Sequence, residues 1–150
     1  MRNKPPLILM EQMVMLLVFA LAAALCLQAF VKSDGLSKDS EARDRAVTLC
    51  QNVAETLRHF GGDMGNAQVK TAEKLGYQCD QGLLYQEFDE DWNPADNGVY
   101  RLESAGVPTE VPGLWKARVS VAKGFNVGQE PEVLFELEVA WQQEVRGSGG

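Results

Sequence analysis

The chain is poor in the residues that carry out chemistry. It has one histidine, His59, and three cysteines, with no Cys-x-x-Cys pair, no His-Glu-x-x-His, no Gly-x-Ser-x-Gly and no glycine-rich phosphate loop. These absences remove the usual signatures of zinc sites, serine hydrolases and nucleotide binding. With no acid–base or nucleophile constellation in view, the sequence reads as non-enzymatic, with no cofactor and no identifiable small-molecule substrate. Basic residues are also scarce: 14 Lys and Arg stand against 21 Asp and Glu, a formal charge of -7. Arg43, Arg45 and Arg58 are interleaved with acids, and Lys70 and Lys74 bracket Glu73. Without a basic patch an acidic domain is repelled by phosphate backbones, which argues against a nucleic-acid partner.

The cysteines are too few and too scattered for a metal site. Cys26 lies inside an apolar run, and Cys50 and Cys79 lie on either side of a helix-like stretch. A Cys50–Cys79 disulfide, which requires an extracytoplasmic location, and a pair of half-buried thiols are both open readings. "DEDWNPADNG", within which Asp89 to Asn97 fall, invites a calcium reading. Asp89, Asp91 and Asn93 match the first ligand positions of an EF-hand loop. Pro94 replaces the required glycine and Tyr100 the terminal glutamate, so that motif is rejected. An acidic hairpin loop in water and some other calcium loop are the two readings left.

What the sequence does have is a long hydrocarbon stretch, "PLILMEQMVMLLVFALAAALCLQAF". From Met13 to Val31 its one strongly polar residue is Gln28. Ten Leu, Val and Phe residues in that segment favour insertion into a bilayer by roughly 3 to 6 kcal/mol. As a helix it spans about 28 Å, and about 37 Å counted from Leu7, enough to cross the hydrocarbon layer. A cleaved secretory signal could use Ala22–Ala24, but the apolar run continues past it through Leu25, Leu27, Phe30 and Val31. A lipoprotein signal is excluded because Leu25, not a small residue, precedes Cys26. Arg2 and Lys4 precede the span with no acid among them, whereas Lys32, Asp34, Lys38, Asp39 and Glu41 follow it. The positive-inside bias places the N-terminus in the cytoplasm of a single-pass protein of the cell membrane, with the C-terminal domain extracytoplasmic.

Beyond the span, Ala42, Ala46, Leu49, Cys50, Val53, Leu57 and Phe60 fall on one face at helical spacing. Gly61-Gly62 ends the pattern. His59 lies off the apolar face and reads as solvated. Asp34-Gly35 either breaks the helix or bends it; unbroken from Leu7 to Phe60, it is about 80 Å long. "NAQVKTAEKLG" predicts a short helix with Asn66 as N-cap and Gly76 as stop. After it the period becomes two. "GLLYQEF", "GVYRLES", "LWKARVSVAK" and "EVLFELEVAWQQEV" read as strands joined by hairpin-length connections. In the last, Val133, Phe135, Leu137, Val139 and Trp141 share the apolar face, against Glu132, Glu136 and Glu138. Trp115 and Trp141 read as core and Trp92, beside a turn, as exposed.

The expected fold is α+β: a long N-terminal helix, its amphipathic half packed on an antiparallel meander of about four strands. The segments are a basic cytoplasmic leader at 1–6, a transmembrane helix at 7–31 and an amphipathic stalk at 32–62. An extracytoplasmic head at 63–145 and a disordered tail at 146–150 complete the chain.

One residue in the apolar run has no place in a simple anchor. Glu11 sits near its start, in "LILME", although a carboxylate within lipid costs about 2–3 kcal/mol near the centre and less near an end. An apolar helix with glutamate at its start, leading into an amphipathic helix and then an antiparallel sheet, resembles the type IV pilins. More particularly it is similar to the pseudopilins and minor pilins of secretion and competence machines. The likeness covers the whole chain in architecture and residues 7 to 31 in sequence. It implies a mature chain that starts at Leu7 with Glu11 fifth, Glu11 pairing with a neighbouring subunit's new N-terminal amine. Pro6 stands where the family's leader has glycine, so either the leader stays on or the chain does not assemble as family members do. Without cleavage no amine arises at Leu7, and Glu11 then reaches the cytoplasmic interface or pairs with another protein. The implied function is a structural subunit of a type II secretion, type IV pilus or competence-type assembly. Its partners would be the bilayer and other membrane or pilin-like subunits. The second expectation is an anchored extracytoplasmic interaction or sensing domain that forms no filament.

Overall fold

The computed structural model describes residues 5–125, 128 and 130–143. The basic leader residues Arg2 and Lys4 and the tail at 146–150 lie outside the described residues. The elements are α1 (Pro5–Phe60), α2 (Met64–Leu75), β1 (Gln78–Asp80), β2 (Leu83–Phe88), β3 (Tyr100–Val107), β4 (Leu114–Lys123) and β5 (Glu132–Gln142). Helix α1 opens on Pro5-Pro6, where proline's fixed φ suits a first turn and its missing N–H leaves no bond unmade. It is unbroken at Asp34-Gly35, where Lys38 reaches back to Asp34 at 3.4 Å. The chain divides into two compact units, residues up to Glu41 and residues from Ala42 onward. The boundary falls inside the expected stalk, so its second half belongs with the head.

In the first unit no side chain from Leu7 to Val31 is covered. Leu7, Phe19 and Phe30 are 73, 74 and 77% exposed. The apolar residues lie all round the helix, so no face is set aside for a partner within the unit.

The second unit is α+β, as expected. Ala46, Cys50, Val53 and Leu57 of α1 are fully buried, in steps of four, three and four. They share one core with Leu84, Leu102, Ala117, Val119, Val121, Val139 and Trp141 of the sheet. Burying a side chain such as Leu57 contributes about 1.5–3 kcal/mol. Gly61 and Gly62 take φ of 57° and 76°, and the Gly61 amide donates to the Leu57 carbonyl at 3.0 Å. The turn so made presents the Gly62 carbonyl to the Trp141 indole N–H at 2.9 Å, fastening the helix end to β5.

The sheet is an antiparallel meander in the order β1-β2-β3-β4-β5. It has five strands rather than four. The additional strand, β1, pairs with Leu83–Tyr85 through the two-residue turn Gln81-Gly82, both at positive φ. That geometry is the tight hairpin turn whose twist suits flanking strands. Helix α2 starts three residues earlier than expected. Asp63, not Asn66, is the N-cap, its carboxylate accepting from the Asn66 amide at 3.2 Å. Gly76 closes the helix in the left-handed conformation, as anticipated.

Two side-chain assignments are corrected. The register slips at Val121/Ala122, where Val121 faces Phe135 but Ala122 faces Val133, so Leu134 is an extra residue. The bulge inverts the alternation before it: Leu134 packs on the core, and Val133 is 54% exposed on the outer face. Trp92 is not a solvated turn residue. It packs against the core, stacked on Tyr100 at 4.0 Å and next to Phe88 at 6.0 Å.

Gly98 has the tightest backbone contact in the loop between β2 and β3. A Cβ there would lie 2.2 Å from the Phe88 carbonyl oxygen. Gly98→Ala must push two backbone segments apart and is expected to cost on the order of 1–3 kcal/mol. A lowered urea midpoint with unchanged slope checks it; an unchanged midpoint contradicts it.

Candidate functional site

The residues singled out in the sequence are divided between the two units. Leu7 and Glu11 belong to the first unit, on the exposed apolar helix. Cys50 and Cys79 belong to the second. Among the described residues one helix is long and apolar enough to cross a membrane, and its most apolar stretch is not buried. The feature to be explained is therefore apolar surface, and Glu11 is its one carboxylate between Leu7 and Val31.

Of the two cysteine readings, the structure has thiols and not a disulfide. Cys50 lies under α1 at the centre of the core, whereas Cys79 sits on the three-residue edge strand β1, partly exposed. Burial pushes the Cys50 thiol up to about 12, and burial together with the Asp80 carboxylate raises that of Cys79. A thiol held protonated is a poor nucleophile. The raised Cys50 value favours the fold below the ordinary thiol range, and that contribution is lost as pH rises toward 12. His59 is exposed in the last turn of α1 and edges the ring of Phe60 at 5.4 Å.

The acidic loop at Asp89 to Asn97 uses its first carboxylate internally. Asp89 Oδ1 accepts from the amides of Asp91 and Asn93, both at 2.9 Å, which folds the turn that carries Trp92 inward. Among the described residues no group of three or more His, Cys, Asp or Glu is gathered to hold a metal ion.

The outer sheet face is charged, as the alternation implies, but its ion pairs were not anticipated. Arg101 of β3 lies 2.7 Å from Glu103 and 3.5 Å from Glu87, with its guanidinium 5.0 Å from the Tyr85 ring and 5.4 Å from the Phe125 ring. Lys116 and Arg118 of β4 reach Glu138 at 3.1 and 2.9 Å, and Arg118 reaches Glu136 at 3.5 Å. The hydrogen bond from Arg118, then that from Lys116, holds the Glu138 carboxyl below the ordinary range. Its signal in the sequence is the alternation of charges along β3, β4 and β5, which fixes the face but not the partners. Beneath the sheet, Gln68 donates to the Ser104 carbonyl at 3.1 Å. The hydroxyls of Ser104 and Thr71 are buried with no hydrogen-bond partner among the described residues.

Two outcomes follow. N-Ethylmaleimide at neutral pH is expected to label Cys50 only after denaturation, read by mass mapping; labelling of Cys50 at the rate of an exposed thiol contradicts its burial. Ser104→Ala removes a buried hydroxyl with no hydrogen-bond partner among the described residues, so it is expected to leave stability unchanged or raise it by up to about 1 kcal/mol. A loss beyond about 1 kcal/mol in urea unfolding shows that the hydroxyl is bonded.

No family model matches this chain, and neither a curated protein nor a solved structure matches it significantly.

Proposed function

We propose that this chain is a single-pass membrane protein with a cytoplasmic N-terminus and an extracytoplasmic α+β head, acting as a pilin-like structural subunit. The observation that supports it is the uncovered apolar surface of α1 from Leu7 to Val31, beside a second unit that folds on its own core. Lipid supplies what the chain does not, at no cost in backbone hydrogen bonds, because a helix satisfies its own. Asymmetry of the flanking charges favours the stated orientation. The role is non-catalytic: the subunit works through helix–helix association in the membrane, where Glu11 pairs with a neighbour's terminal amine or another cationic group. Such a pair relieves the cost of a carboxylate in hydrocarbon. The assembly is of the type II secretion, type IV pilus or competence type, on the resemblance of residues 7 to 31.

Pro6 favours a second reading, because a prolyl bond is a poor substrate for removal of the leader. An unprocessed chain has no amine at Leu7, and the protein is then an anchored interaction or sensing domain outside the cell membrane. Intact mass of the protein from its native membrane separates the two. The pilin-like reading expects a chain that begins at Leu7; a chain that keeps Arg2 to Pro6 contradicts it and leaves the anchored domain.

A further inference from the structure

The sheet has an open side. β5 is its last strand, eleven residues long, hydrogen-bonded to β4 on one edge and, among the described residues, to no strand on the other. A free edge of that length is a template for another strand. Proteins guard such edges with lysine, proline or bulges, and β5 has neither lysine nor proline between Glu132 and Gln142, its one bulge lying near its start. Along this edge runs a groove of about 320 Å³ between α1 and β5. Gln51, Ala54, Glu55 and Arg58 form one wall, and Leu137, Glu138 and Val139 form the other. No residue of β4 lines it, so it opens at the rim of the sheet and not beneath it. The small side chain of Ala54 leaves the room.

We infer that the open edge of β5 takes an extended, basic segment of another protein as a sixth strand. The inference stands on the second unit alone, whether or not the protein is pilin-like. A strand laid along β5 turns alternate side chains into the groove, against Ala54, Leu137 and Val139, where aliphatic groups fit. The intervening side chains stand on the outer face, next to Glu136 and Glu138. On that face β3 carries Arg101 and Glu103 together, whereas β4 presents Lys116 and Arg118 and β5 presents Glu136 and Glu138. A cationic side chain on the far side of β5 meets those carboxylates as Lys116 and Arg118 do. Charge also argues against a second copy. β5 carries three glutamates and no basic residue, so antiparallel self-pairing about Leu137 sets Glu136 against Glu138, and parallel in-register pairing sets each glutamate against itself. Like charges directly opposite are destabilising.

The test uses the full-length protein in detergent micelles and a short fluorescent peptide alternating lysine with valine. Saturable binding is expected by anisotropy, at least about tenfold weaker for the same peptide with glutamate in place of lysine. Methylating alternate backbone amides of the peptide should abolish binding in one parity and leave it in the other. Ala54→Trp, which fills the groove, should weaken binding by about tenfold or more. If that variant loses its near-ultraviolet circular dichroism, the Glu136→Gln, Glu138→Gln double variant decides, with binding expected to fall several-fold. Equal affinity for the two charge types, indifference to both methylation patterns, or unchanged binding by a folded Ala54→Trp protein each overturns the inference. So does a dimer in sedimentation that the Glu136→Lys, Glu138→Lys variant breaks, which would make a second copy the occupant.

Discussion

Apolar surface must be taken out of water, and α1 meets that demand differently along its length. Between Ala42 and Phe60 the apolar residues form one stripe, and a five-stranded sheet covers it. Between Leu7 and Val31 they surround the helix, and within their own unit the described residues leave them exposed. A stripe calls for a platform on one side; a full cylinder of hydrocarbon calls for a medium. The division of the chain into two units follows that change of pattern, at Glu41 and Ala42.

Within the second unit the same demand sets the details. Ala46, Cys50 and Val53 bury their side chains against the sheet, and Leu57 does so at the end nearest the Gly61-Gly62 turn. The Trp141 indole then joins that turn to the last strand, so the helix end and the sheet edge are fixed together. The opposite face of the sheet is left to water and is held by paired charges instead. Exposed pairs of that kind stabilise little.

Patterns that repeat locally were legible in the sequence. The stripe from Ala42 to Phe60 and the alternation in β2 to β5 gave the α+β arrangement and its meander. What was hidden depends on single residues or on distant ones. Gln81-Gly82 makes a hairpin turn without the usual Asn-Gly or Asp-Gly signal, so β1 went unseen. Leu134 is a one-residue insertion in a strand whose alternation looks perfect on paper, and it reverses Val133. Trp92 is drawn inward by Tyr100 and Phe88, which no local pattern reveals. The groove beside β5 is lined by Ala54 and Leu137, residues far apart in the chain. The likeness of residues 7 to 31 to pilins is of another kind: it rests on the placing of Glu11, and a helix's shape neither adds to it nor takes from it.

The central claim is that residues 7 to 31 of α1 reside in lipid. Alkaline carbonate washing of membranes that contain the full-length chain tests it most directly, because the wash strips proteins held at the surface and leaves those that span. The protein is predicted to stay wholly in the membrane pellet and to be released by detergent alone. Its recovery, full length, in the carbonate supernatant would contradict the claim.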